Sequence, residues 1–223
     1  MTDGEWTAPK PYKKPTVEPS LSRQVAVVDL GRGNDWVELL TSQAKGEIAA
    51  VRDELKAADL TLPTSTPDLV VVALPEACWL SPEFSRPLEN IGHSEQARLK
   101  QIKPLLINNV EPGQIILAIA LKKSLRSDRL YQPLYEANIM QLLLEGELDA
   151  PQVDFEVHTL ASAGTRAETT YSAASLAAVA RRRDSNPPNM HRAVRALYEP
   201  AHAQDLIQRF YRFLDERMAL IPA

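Results

Sequence analysis

The sequence predicts an α/β fold: a Rossmann-like parallel sheet flanked by helices, with a helical C-terminal segment. Three observations predict it. Apolar runs of strand length recur at residues 25–28, 69–74 and 115–121, and a short run apolar throughout suits a strand covered on both faces. Segments with helical spacing alternate with these runs, as in βαβ units, whose right-handed crossovers make neighbouring strands parallel. Beyond Ala173 the pattern turns helical.

Taken in order, residues 1–22 carry Pro9, Pro11, Pro15 and Pro19 among scattered charges and read as an extended or disordered arm. Order begins with a strand at 24–30. In the turn Gly31-Arg32-Gly33-Asn34-Asp35, Asn34 or Asp35 is the expected N-cap. Trp36, Leu39, Leu40, Ile48, Val51 and Leu55 then follow as one long amphipathic helix. Residues 63–67 form a loop, 69–74 the second central strand ended by Pro75, and 82–93 another loop. A helix is expected over 95–107, with Pro104 kinking or restarting it. The third buried strand is 115–121, the next helix 133–144 with Pro133 in its first turn, and the fourth strand 153–157. Helices are expected at 173–183, 190–197 and 205–218, the last with an apolar stripe of Leu206, Phe210, Phe213 and Leu214. The expected organisation is an arm (1–22), an α/β domain (23–160) and a helical extension packed on it (161–223).

The totals narrow the classes. A chain of 223 residues, 44% hydrophobic and 24% charged, has the make-up of an ordinary soluble globular protein. Its apolar runs are too short to span a bilayer, and the first twenty residues lack a signal-peptide core. Cys78 is the sole cysteine, which excludes an internal disulfide and a thiolate metal cluster. The expected location is the cytoplasm, with no membrane partner.

Charge is uneven. The chain holds 25 basic and 29 acidic side chains for a net charge of −4. Yet the window from Arg98 to Arg129 carries Arg98, Lys100, Lys103, Lys122, Lys123, Arg126 and Arg129 against only Glu111 and Asp128. A local cationic patch on an anionic body points to one anionic ligand held at one place, phosphate above all. The plain alternative is a solvated, salt-bridged face. A second cluster, Arg181, Arg182, Arg183, His191, Arg192 and Arg195, suits either phosphate recognition or charge at a helix C-terminus.

Other chemistries have less to draw on. The glycine turn lacks the third glycine of a dinucleotide fingerprint and the lysine of a P-loop, so it reads as structural. His93, His158, His191 and His202 lie far apart, without metal-ligand spacing, and Cys78 reads as a small buried group. A restriction-type nuclease is the stronger alternative. Asp68 follows Pro67, and Asp154 and Glu156 share one face of a strand because side chains alternate with period two. His158 stands where a lysine should follow, so Lys122 or Lys123 would supply the cation. Mg²⁺ takes few protein ligands and is compatible with this set.

The stretch running from Asp68 to Leu74-Pro75-Glu76, then through Lys103 and Leu106-Ile107-Asn108 to Gln114, resembles the MID domain of prokaryotic Argonaute and Piwi proteins. That family has a buried strand ending in Leu-Pro-Glu, a helix with a lysine, and a glutamine opening the next strand. Its lysine and glutamine hold the 5′ phosphate of a guide strand, roles that the resemblance assigns to Lys103 and Gln114. Leu99 departs from the family's aromatic or basic residue, and a later pocket lysine has no match near Glu145 and Gly146. Lys122, Lys123, Arg126 or Arg129 would substitute. The resemblance covers residues 24–145 and leaves no room for a catalytic PIWI domain.

The leading expectation is therefore a nucleic-acid-binding module without catalysis or cofactor, acting on DNA or RNA. In it Lys103 and Gln114 grip phosphate, and Arg98, Lys122, Lys123, Arg126 and Arg129 add charge. The first alternative is a Mg²⁺-dependent nuclease built on Asp68, Asp154, Glu156 and Lys123 (or Lys122). The second is a protein–protein interaction subunit that docks a partner or another copy through its C-terminal helix.

Overall fold

The aliphatic runs become five strands: β1 (Gln24–Asp29), β2 (Leu69–Leu74), β3 (Ile115–Lys122), β4 (Asp154–Thr159) and β5 (Ala196–Tyr198). The computed structural model describes residues 24–31, 34–64, 66–74, 93–126, 129–162, 166–182 and 190–218. The arm at 1–22, Cys78 and nearly all of the expected 82–93 loop lie outside them.

The strands form one sheet in the order β1-β2-β3-β4-β5. β3, β4 and β5 are parallel, as expected. β1 and β2 differ: β1 is antiparallel to β2, and β2 to β3. No right-handed crossover joins the first two strands. A continuous apolar run records that both faces are covered, but it carries no information on direction, so the α/β class holds while the sheet is mixed.

Alternation along the strands divides the side chains between two cores. Ala26, Val28, Val70, Val72, Ala118, Ala120, Phe155 and Val157 belong to the main one. It is covered by the Trp36–Leu39 turn, α1 (Ser42–Ala57), α2 (His93–Leu106), α3 (Tyr131–Gln141) and α4 (Ala167–Tyr171), through residues such as Trp36, Ile48, Leu106, Met140 and Tyr171. The opposite face, with Val71, Ala73, Ile116 and Ile119, is covered by Phe210, Phe213 and Leu214 of α6 (Ala203–Met218). The stripe expected to dock on a partner thus covers the protein's own sheet. α5 (Leu176–Arg181) precedes β5.

Three helix expectations change. The helix expected from Trp36 is divided, because Leu40 is extended and forms a bridge with Val110. Asp35 caps the short first turn, its Oδ1 accepting from Val37 N at 3.1 Å. The 173–183 segment is helical only from Leu176, where Ser175 is the N-cap. The helix expected at 190–197 is absent; its end instead forms β5, which pairs with β4. α3 passes directly into a wider π-helical turn, Leu142–Glu147.

Candidate active site

Pro67 is buried and Asp68 is exposed at the entry to β2. The backbone N–H of Asp68 donates to Ile119 O at 3.0 Å, and its carbonyl accepts from Leu30 N at 3.1 Å. These bonds carry the ladder one residue beyond the strand. The carboxylate is pinned as well, Oδ2 accepting from Leu121 N at 2.6 Å. The β2–β3 register, with Leu69 opposite Ile119, sets Asp68 opposite Ala120. Val70 and Val72 point into the main core, so alternation turns Asp68 to that face too.

On β3, Ala118 and Ala120 face the same core, and the next residue in phase is Lys122, which is half-buried. Lys122 is therefore the diagonal neighbour of Asp68. Such neighbours sit about 7–8 Å apart, within reach of a long side chain. Ala120 between them is too small to intervene. Lys123 lies just past the end of β3 and is exposed. Lys122 pairs in register with Thr159, a buried residue on β4.

Helix α3 packs in the main core through Ala137 and Met140. Pro133, Glu136, Ala137 and Met140 form its buried stripe. Tyr135 Oη donates to Pro63 O at 3.1 Å, tying the helix to the loop that leads into Asp68. Glu136 is 1% exposed, and Gln132 Nε2 donates to its Oε1 at 2.8 Å. A carboxylate this deep costs much free energy unless cations or donors meet it. The sequence reading missed Glu136, although a signal was available: one acid at the i, i+3, i+4, i+7 positions of an otherwise apolar stripe.

Asp154 and Glu156 share a face, as alternation requires, but it is the opposite face from Asp68. Asp154 meets Arg195 Nη1 at 3.3 Å and Arg217 Nε at 4.0 Å. Glu156 receives Arg209 Nη2 at 2.7 Å and Nε at 3.0 Å, with His158 Nε2 at 2.9 Å. Burial pushes the Asp154 carboxyl up, only partly opposed by Arg195 and Arg217. Burial acts upward on Glu156 too, but the hydrogen bonds from His158 and Arg209 outweigh it and hold this carboxyl below its ordinary value. The two acids clasp β4 to α6 and to the segment ahead of β5.

The cationic window is also divided. Lys103 Nζ lies 2.9 Å from Glu38 Oε2. Gln114 Oε1 accepts from Glu111 N at 2.7 Å within a tight turn. The Arg98 side chain lies outside the described residues. Lys123, Arg126 and Arg129 are exposed, and Arg129 N donates to Arg126 O at 2.9 Å. These three follow Lys122 directly on the β3–α3 connection. Of the second cluster, Arg181 is bonded to Glu145 O and Asp149, Arg195 to Asp154 and Glu216, and Arg183 lies outside the described residues. Among the described residues, no three His, Cys, Asp or Glu side chains are grouped to hold a metal ion, so any cation here would rest on fewer carboxylates.

A model of the Cfr10I/Bse634I restriction endonucleases matches residues 3–216 of the chain. The chain belongs to this family. Its fold is similar to the crystal structure of the type IIF restriction endonuclease Bse634I with cognate DNA. That match has a TM-score of 0.72 and 14% identity, covering 85% of this chain and 67% of that one. A second Bse634I restriction endonuclease structure matches with a TM-score of 0.73 and 15% identity, covering 85% and 66%. The chain thus spans about two thirds of the length of both structures. A search of curated proteins finds no match.

Membership in the Cfr10I/Bse634I family overturns the resemblance to the Argonaute MID domain and, with it, the reading as a guide-phosphate module without catalysis. The strings behind that resemblance are a strand end at Leu74 and a helix end around Lys103, which unrelated α/β proteins share. The family instead favours the nuclease alternative. No described helix is long and apolar enough to cross a membrane.

Proposed function

We propose that this protein is a divalent-metal-dependent endonuclease that cuts the backbone of DNA, with Asp68, Lys122 and Glu136 as its reacting residues. The observation that carries this reading is the register that turns Asp68 and Lys122 to one face at the mouth of the sheet. Glu136 is buried on the α3 stripe whose Ala137 and Met140 pack in the main core, which supports adding it to the set. Family membership and the cognate DNA bound to Bse634I support DNA as the substrate.

The donor set fits Mg²⁺. This ion binds through one or two carboxylates and keeps several waters. Asp68 offers an exposed carboxylate whose Oδ2 accepts from the backbone, and Glu136 offers a buried one held by Gln132. When bound, Mg²⁺ would supply charge neutralisation at the phosphate and a more acidic water.

The chain's own residues do the rest. Leu121 N–H fixes the Asp68 carboxylate, so it is oriented before any ligand arrives. Lys122 presents an ammonium to the non-bridging phosphate oxygens, where charge develops as the P–O bond breaks. Lys123, Arg126 and Arg129 would contact neighbouring phosphates and set the register of the duplex. The test is cleavage of long mixed-sequence DNA in Mg²⁺. The parent should cut, and EDTA or Asp68→Asn should stop it without loss of fold by circular dichroism. Cutting by Asp68→Asn at the parent rate would sink the reading.

A further inference from the structure

Tyr131 opens α3 and, at 63%, is the most exposed aromatic side chain among the described residues. A single exposed ring is common on protein surfaces, so its surroundings decide what it can do. Tyr135, one turn further along α3, has its hydroxyl committed to Pro63 O at 3.1 Å. The Tyr131 hydroxyl and ring have no such partner among the described residues. The connection just before it carries Lys123, Arg126 and Arg129, all exposed, and none of the three forms an ion pair among the described residues. Leu130, between Arg129 and Tyr131, is 5% exposed in the main core and pins the backbone on which both side chains stand. Two residues of chain span at most about 7 Å.

We propose that Tyr131 is a DNA-backbone contact, its hydroxyl donating to a phosphate beside the one that Arg129 meets and its ring lying against the adjoining deoxyribose. The proposal rests on the nuclease reading for the identity of the ligand. Charge favours DNA over a protein surface as the occupant, because unpaired cations border the ring. Tyrosine is among the side chains that position proteins on the sugar–phosphate backbone. It adds what the cations lack: a phenol is an uncharged donor, so it holds a phosphate without releasing a counterion, and its contribution persists as salt rises.

The test is fluorescence anisotropy of a labelled mixed-sequence duplex with the full chain, in EDTA and over a salt series. Tyr131→Phe should bind about tenfold or more weakly at every salt concentration, with the parent's slope of log affinity against log salt. Arg129→Ala should lower that slope by about one. The melting temperature of Tyr131→Phe should match the parent's, because the hydroxyl removed is unbonded in the free protein. Parent-like affinity in Tyr131→Phe, with the slope reduced in Arg129→Ala, would overturn the proposal and leave the nuclease reading intact. A fall in assembly mass by light scattering, with DNA affinity unchanged, would assign the ring to a second copy of the chain and overturn it too. A parent that neither binds nor cuts the duplex would overturn both readings.

Discussion

Asp68 and Leu121 are joined across antiparallel strands, the Oδ2 of the first accepting the backbone N–H of the second at 2.6 Å. An amide can make the same bond, but it loses the negative charge. Asp68→Asn is therefore expected to fold like the parent and fail to cut. Asp68→Ala also leaves the Leu121 N–H without this acceptor, which should cost about 0.5–1.5 kcal/mol in urea unfolding. Equal stability of the two variants would contradict this.

Lys122 and Lys123 are adjacent but separated by the pleat. In single-turnover cleavage at saturating DNA, Lys122→Ala should lower the rate by roughly 10²–10³, as for loss of one preorganised charge stabiliser. Lys123→Ala should change binding more than rate. The reverse pattern would show that the strand phase has been misassigned.

Arg126 and Arg129 are exposed on the connection that leaves β3. If each meets a phosphate, alanine at either position should reduce the slope of log affinity against log salt by about one. Fluorescence anisotropy over a salt series measures it. An unchanged slope in both variants would remove this loop from the DNA contact.

Glu156 and Asp154 sit one pleat apart and answer acid in opposite senses. The Glu156 carboxyl is depressed by folding. Its bonds to Arg209 and His158 therefore contribute stability above its ordinary value of 4.5, and this is lost as pH falls through the lower folded value. Asp154 is raised by burial, so its protonation in acid favours the folded state. Thermal melts from neutral pH down to about 3 should show a shallower acid loss for Glu156→Gln and a steeper one for Asp154→Asn. At neutral pH Glu156→Gln should cost roughly 1.5–3 kcal/mol. Profiles parallel to the parent would contradict the linkage.

Phe213 is 3% exposed between the sheet and α6, and the Arg195 guanidinium lies 5.1 Å from its ring centre. Phe213→Ala should cost about 3–5 kcal/mol by chemical denaturation. A loss below about 1 kcal/mol would mean that α6 is not seated on its own sheet.

Much of this fold was legible because the local signals were strong. The run 115–121 could hardly be anything but a buried strand, and it is the centre of β3. Of the residues proposed to react, Asp68 and Lys122 were both within the nuclease set, Asp68 by its place after Pro67 and Lys122 as one of two lysines. β5 escaped notice because three half-buried residues make no apolar run of their own. Glu136 escaped because an acid in a helix usually faces water.

The amino-acid sequence by itself determined four of the five strands, the amphipathic last helix and the sharing of one face by Asp154 and Glu156. These depend on periodicity, a property of neighbouring residues. Only the tertiary structure decided the directions of β1 and β2, which of the two cores each face meets, and that Asp154 and Glu156 turn toward arginines while Asp68 and Lys122 fall on the other face. Those outcomes depend on what distant segments bring to each face, and spacing along the chain carries no record of that.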